Sequence, residues 1–287
     1  MSQLISSSPW RFLDTGFLTG YENMAIDEAI FTSCQEKKSP PTIRIYGWIP
    51  PAVSLGYFQK AENAVDLEAC KRNGVDVVRR LSGGRAVLHH REVTYSIICR
   101  EGTSPLGSSV LETYKTISEC LIQTLKGLGL QVEWVASRDK HAAAQGKDKT
   151  ASCFSSPSWY EITVEGKKIC GSAQKRGDGV LLQHGSLLID YDPELLAGVL
   201  LSRKGEEDLL TEIRSSTTAI NRHLSQKVDF YQLKKLVLDN FEDQLKISHI
   251  PGELSAYESQ LKDTLLKDKY STDSWNLHRK KRVYYLE

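Results

Sequence analysis

Apolar residues at Val110, Tyr114, Ile117, Leu121, Leu125 and Leu128 recur every three or four positions. That spacing predicts an amphipathic helix over residues 109–129 with one face buried. The surrounding chain follows a different rule. TIRIYGW, AVSLGYF, VDVVRR and VTYSIICR are short runs rich in β-branched and aromatic residues, separated by Pro50, Pro51, Gly74 and a Gly-Gly pair, and they predict strands. In YEITVEGKKICGSA apolar and polar positions alternate around a Glu-Gly step, so residues 161–164 and 168–172 are expected to be the arms of a hairpin. GVLLQHGSLLID adds a further long strand. Further helices are expected where Asn23 would cap MAIDEAIFTSC, with Asp27 and Glu28 near its positive end, and over residues 66–73, stopped by Gly74. Asp192 with Pro193 opens a short one. The segment ASRDKHAAAQGKDKTAS has neither period and predicts a mobile, protease-sensitive loop leading into Cys153.

Strands that outnumber helices, in no strict strand–helix–strand alternation, predict an α+β fold with a mixed or antiparallel sheet and flanking helices. After residue 225 the pattern changes to two helical stretches, DFYQLKKLVLDNFEDQLKI and ELSAYESQLKDTLLKDKY. The expected organisation is a catalytic domain over residues 1–225 and a small helical C-terminal extension over 226–287. A doubly wound nucleotide fold is disfavoured, because neither G-x-G-x-x-G nor G-x-x-x-x-G-K-[ST] occurs.

Composition narrows the partners more than the fold. The 287 residues are 40% hydrophobic and 25% charged, and 37 basic against 36 acidic residues leave a net charge of +1. No overall field therefore points to nucleic acid. The start lacks a basic stretch followed by an apolar core, and no window approaches the roughly 18 apolar residues of a membrane helix, so a cytoplasmic location without membrane contact is expected. Six cysteines without C-x-x-C spacing read as reduced thiols, and seven scattered histidines show no metal-binding pattern.

Two stretches carry candidate chemistry. In RRLSGGRAVLHH, Gly83 and Gly84 let backbone approach a ligand closely, while Arg80, Ser82 and Arg85 supply donors for an anion or a polarised carbonyl. In SCFSSPSWYEITVEGKKICGSAQKR, Cys153 would become a usable nucleophile if the ammonium of Lys168 or Lys167 lay nearby and lowered its pKa. Cys170 alternates with Ile169 on a strand and reads as packing. His89 and His184 lie at strand ends near small residues, each able to donate to a ligand or to sit satisfied in a core. Gly171 and Ser172, the Gly-Ser step after the lysines, complete the candidate substrate-binding set. The basic HRKKR near the end is a solvated tail or a dock for an acidic carrier protein.

Taken in order, WRFLDTG, NMAIDEA, RIYGW, SLGYFQ, RRLSGGRAVLHHREVTYS, the cysteine-containing block, LQHGSLLID and the Trp-Asn pair at 275 and 276 resemble the biotin/lipoate protein ligase superfamily, and within it the octanoyltransferase branch. The resemblance spans nearly the whole chain. It implies a mixed sheet with an acyl tunnel beside the Gly-Gly loop, Cys153 as acyl-thioester nucleophile, and Lys168 lowering its pKa and holding the acyl carbonyl. Arg80, Ser82, Gly83, Gly84 and His89 would line the acyl site. The implied donor is octanoyl-acyl carrier protein, and the implied acceptor a lipoyl-domain protein such as the glycine cleavage H protein. No cofactor is implied, since moving an acyl group from thioester to thioester is nearly neutral and from thioester to lysine amide is downhill. The main alternative is an ATP-dependent lipoate protein ligase working through an acyl-adenylate. Such ligases carry a third glycine where this chain has Arg85, which would crowd or bind a phosphate. A non-catalytic lipoyl-domain binder is a third reading, and the retained Cys153 and Lys168 speak against it.

Overall fold

The computed structural model describes residues 9–135, 161–202 and 205–280. The fold is α+β, as the pattern predicts. The strands run β1 Trp10–Leu18, β2 Thr42–Trp48, β3 Ala52–Leu55, β4 Asp76–Arg79, β5 Val87–His89, β6 Glu92–Arg100, β7 Val132–Val135, β8 Glu161–Val164, β9 Lys167–Gly177, β10 Val180–Leu188 and β11 His249–Pro251. Eight of them form a mixed sheet in the order β11-β1-β2-β6-β10-β9-β8-β7, and β4, β3 and β5 form a smaller sheet beside it. β2, β6, β10, β9, β8 and β7 pair antiparallel, whereas β1 pairs parallel with both β2 and β11. The N-terminal stretch that lacks a clear pattern is thus strand β1. One neighbour, β2, is the next strand along the chain, and the other, β11, comes from residues 249–251.

Helix α1 spans Gly20–Gln35, and the expected cap is corrected: Thr19 caps it in a reciprocal capping box with Glu22. Asn23 instead lies inside the helix, fully buried, and donates to the carbonyls of Leu18 and Gly47. Asp66 caps α2 (Leu67–Arg72), and Ser109 with Glu112 forms a capping box on α3 (Val110–Gly127). Ile117, Leu121 and Leu125 of α3 face the main core together with Tyr95 and Ile97 of β6, the face the spacing predicts. Helix α4 (Pro193–Val199) starts at Asp192 with proline in its first turn, and α5 spans Glu206–Ser216.

Residues 230–276 are woven into this frame. Helix α6 (Phe230–Leu245) buries Phe230, Leu233, Val237 and Phe241 in the same core as α3, and β11 extends the main sheet. Helix α7 (Ala256–Leu265), a π-helical turn Leu266–Tyr270 and helix α8 (Asp273–Asn276) follow. Glu258 on α7 receives two hydrogen bonds from Arg11 of β1, at 2.6 and 2.7 Å. Among the described residues, no helix is long and apolar enough to cross a membrane.

Candidate active site

The glycine loop between β4 and β5 is fixed by its own arginine. Arg80 is almost fully buried and hands its guanidinium to five acceptors: the carbonyl and hydroxyl of Ser54 (2.7 and 3.0 Å), the carbonyls of Gly83 and Arg85 (2.7 and 2.8 Å) and the Ser82 hydroxyl (3.2 Å). These bonds curl the loop into one conformation. Gly84 has φ +97°, and a Cβ there would meet Arg80 Nη2 at 2.7 Å, so only glycine fits. A Cβ on Gly56, in the turn after β3, would lie 2.0 Å from the Gly84 carbonyl oxygen, which shows how closely the two turns pack.

Beside this loop lies a cavity of about 560 Å³ between the two sheets and the first turn of α3. Arg80, Gly83, Gly84, His89, Gly171, Ser172 and His184 all line it, so most of the candidate set converges on one place. Ser82 sits behind the wall, its Oγ 2.5 Å from His184 Nε2. Arg85 is not among the lining residues and enters the site through its carbonyl. Val110, Leu111 and Tyr114 form the rim on α3, with Val110 and Leu111 about half exposed. An exposed apolar rim of this kind suits entry of an apolar chain.

The polar groups in the wall largely bond one another, with Glu92 Oε2 left as a buried oxygen without a partner among the described residues. His89 stacks on Trp48 with ring centroids 4.0 Å apart, and its two nitrogens lie 2.8 Å from Ser54 Oγ and 2.7 Å from Glu92 Oε1. Trp48 donates its indole N–H to Thr94, which donates in turn to Glu92. Ser172 meets the Tyr95 hydroxyl at 2.8 Å. Hydrogen bonds closed inside the wall leave ring faces and glycine backbone toward the cavity, a surface suited to hydrocarbon.

Below His184 is a buried charge network that sequence reasoning missed. Asp27 of α1 accepts from Arg44 (2.7 Å), Ser96 (2.9 Å) and Tyr46 (3.2 Å), and its Oδ2 lies 3.6 Å from His184 Nδ1. Burial alone would raise the pKa of Asp27, but Arg44 and His184 together bring it below the usual carboxylate value. Burial holds His184 below the ordinary histidine value despite Asp27, so the imidazole is neutral near pH 7. With Asp27 ionised, Nδ1 carries the proton and Nε2 accepts from Ser82. A signal was available: Asp27 falls on the buried face of a helix, where an unpaired carboxylate is not tolerated.

Lys168, the second residue of β9, lies at a register shift in the pairing with β8. Its side chain is buried, with Nζ 2.8 Å from Glu161 Oε1. A Cβ on Gly171 would lie 3.4 Å from Lys168 Cε and 3.8 Å from Nζ, so the amine stands directly over the glycine that lines the cavity. Lys167 instead reaches the Arg214 carbonyl at 3.1 Å in an exposed setting. Cys153 and the segment expected to form a mobile loop lie outside the described residues. The described cysteines, 34, 70, 99, 120 and 170, are all buried. Burial pushes the Cys170 thiol up to about 12, even with Lys168 near it, and Cys170 packs in the main core as its alternation predicts.

A glycine loop beside an apolar cavity walled by an antiparallel sheet, with a buried lysine that does not itself line the cavity packed against one of the lining glycines, defines an acyl-handling enzyme fold. The catalytic-domain model of lipoyl protein ligases A and B matches residues 19–242, and the chain belongs to that family. It is 42% identical over 273 residues to octanoyltransferase LipM of Geobacillus kaustophilus, covering 94% of this chain and 98% of that protein. Octanoyltransferase LipM of Bacillus subtilis is 39% identical over 273 residues with the same coverage. Among solved structures, a bi-partite lipoate protein ligase from Thermoplasma acidophilum superimposes with TM-score 0.79 at 24% identity, covering 97% of this chain and 99% of that one. Lipoate-protein ligase A bound with ATP gives 0.75 at 25% identity, covering 94% and 99%.

Proposed function

We propose that the protein is an octanoyltransferase of lipoate biosynthesis that takes octanoate from octanoyl-acyl carrier protein and delivers it, through a thioester on Cys153, to a lysine of a lipoyl domain, the glycine cleavage H protein being the acceptor to test first. The similar proteins of known name support octanoyl transfer. The observation that carries the finer reading is the apolar cavity of about 560 Å³ with the Lys168 amine close to Gly171, one of the glycines that line it.

In the first half-reaction the Cys153 thiolate attacks the donor carbonyl, a new C–S bond forms, and the carrier leaves as its own thiolate. In the second the acceptor amine attacks, the C–N bond forms, and Cys153 departs as thiolate, available to take up the proton that the amine loses. Lys168 stabilises the thiolate in both resting and leaving states. The acyl chain lies between the Gly83–Gly84 loop and the Gly171–Ser172 backbone, against Trp48 and His89. Each step exchanges one acyl bond for another of equal or lower energy, so the reaction needs no nucleotide.

The test is mass spectrometry of the intact protein mixed with octanoyl-acyl carrier protein in the absence of ATP, followed by digestion. An octanoyl increment on Cys153, absent from Cys153→Ala, is the expected result. Transfer that appears only with free octanoate and ATP, leaving Cys153 unmodified, would overturn the thioester route in favour of an adenylate-forming ligase.

A further inference from the structure

Arg79, the neighbour of the loop-fixing Arg80, is held in an unusual way. Its side chain is completely buried, and no carboxylate pairs with it among the described residues. Backbone carbonyls surround it instead, and they come from two distant segments. From the turn after β3, Gly56, Tyr57 and Gln59 accept from Nη1 at 2.9, 3.1 and 2.7 Å. From α8 and the residue after it, Trp275 and Asn276 accept from Nε at 3.2 and 3.1 Å, and Leu277 accepts from Nη2 at 3.2 Å.

The C-terminal segment also grips the backbone of Arg79. The Asn276 side-chain oxygen accepts the Arg79 N–H at 3.1 Å, and the Trp275 indole donates to the Arg79 carbonyl at 3.1 Å. The grip is itself anchored: Asn276 donates to the Tyr270 carbonyl, Lys269 lies 3.8 Å over the Trp275 ring, and Lys269 and Tyr270 both bond Glu28 of α1. On the other side, the turn that Arg79 holds is the one packed on the acyl loop. Tyr57 N–H donates to the Ser82 carbonyl at 2.8 Å, and Gly56 abuts Gly84. A continuous path therefore runs from residues 275–277, through one guanidinium, to the glycines that line the cavity.

We propose that residues 275–277 form a positioning strap for the acyl site and that Arg79 is the positioning residue through which it acts. A buried cation ringed by carbonyls is costly unless every donor is met, so the site accepts one arrangement of both segments. Arginine suits the task because its planar fork reaches several carbonyls at once, which the single ammonium of lysine does not. The strap thereby sets how well the Gly83–Gly84 loop is formed before an acyl chain arrives. Stabilising the acyl-binding shape ahead of binding affects occupancy of the site rather than the chemical step.

The experiment uses the full chain with two variants. Trp275→Phe removes the indole N–H and keeps the packing, and Arg79→Lys keeps the charge and loses the fork. Circular dichroism first verifies folding, and Trp275→Phe is the mild member should Arg79→Lys unfold. Hydrogen exchange of residues 81–86 should rise about three- to tenfold, as loss of one hydrogen bond implies. The KM for octanoyl-acyl carrier protein should rise by about the same three- to tenfold factor with kcat within about twofold. A fall in melting temperature with loop exchange and KM unchanged would overturn the strap, leaving these residues a purely structural role. The KM prediction rests on the octanoyltransferase reading and the exchange prediction does not, so a wild-type protein inactive with this donor would sink that reading while exchange still decides the strap.

Discussion

Two buried ion pairs flank the cavity, and they are built to opposite plans. Asp27 and Arg44 lie in the middle of the molecule, both essentially inaccessible. Arg44 also bonds the carbonyl and side chain of Asn23 and the hydroxyl of Thr15, while Asp27 also takes Ser96 and Tyr46. Lys168 and Glu161 lie on β9 and β8, toward the end of the same sheet, where the Glu161 side chain keeps 11% of its exposure. The first pair is locked from every side and can only hold geometry. The second places a point charge on a flexible stem over a cavity-lining glycine, next to where chemistry is expected. Saturating hydrogen bonds fix a charge as scaffold, whereas lysine offers a compact point charge with three rotatable donors.

The comparison is broken first by substitution at its scaffold end. Asp27→Ala strands the buried Arg44 cation, and a loss of about 3–5 kcal/mol of stability is expected, read by denaturant unfolding. A loss below about 1 kcal/mol would show that the network does not carry the core. At the other end Lys168→Ala leaves Glu161 without its cation and should lower stability by less than Asp27→Ala, because Glu161 keeps some access to water, while lowering octanoyl transfer by about 100-fold or more, the usual cost of removing a group that stabilises reacting charge. Alkylation of Cys153 near neutral pH should slow about tenfold for each unit its thiol pKa rises. An unchanged alkylation rate would separate Lys168 from Cys153.

Acid sharpens the contrast by a smaller amount. Asp27 and His184 both have folded pKa values below their ordinary ones, so the unfolded chain binds more protons. Their contribution is therefore complete at neutral pH and is lost on acidification. The His184 share fades first, as pH falls from about 6.5 toward its folded value, and the Asp27 share only below about 4. His90, which burial also holds low, shares the upper window, so the readout is the difference between wild type and His184→Gln. Loss of the upper part of the acid limb in that variant is expected, and superimposable curves would exclude His184. The smallest effect is a null: burial raises the thiols of Cys70, Cys99, Cys120 and Cys170 to about 11 or 12. Under native conditions at neutral pH these four should resist iodoacetamide for hours, and rapid labelling of any of them would contradict their burial.

Legibility of the site followed the range of its contacts. Gly83, Gly84, His89, Gly171, Ser172 and His184 were readable because glycines and histidines among small residues stand out along the chain, and they do line one cavity, although His184 lies in the middle of β10 and not at a strand end as expected. Arg80 was readable as a residue but not in its task, since only the fold shows its guanidinium turned onto Ser54 and the loop carbonyls. Asn23 reads as a cap by its local neighbours, yet Thr19 takes that place and Asn23 is drawn inward to Arg44. A tertiary partner outweighed a local preference of about 1 kcal/mol.

By itself, the sequence determined what depends on neighbours a few positions apart: the apolar face of α3, the helix start at Asp192, the β8–β9 hairpin and the glycine loop. These follow from helical and strand periods and from turn chemistry, which are written in consecutive residues. The tertiary structure alone decided that β11 would complete the sheet beside β1, that Asp27 would meet Arg44 and His184, and that Trp275 and Asn276 would close on Arg79. Such partners lie far apart along the chain, Arg79 and Asn276 by 197 residues. Nothing local distinguishes them from solvent-facing polar residues until burial makes an unmet hydrogen bond or charge too costly to leave.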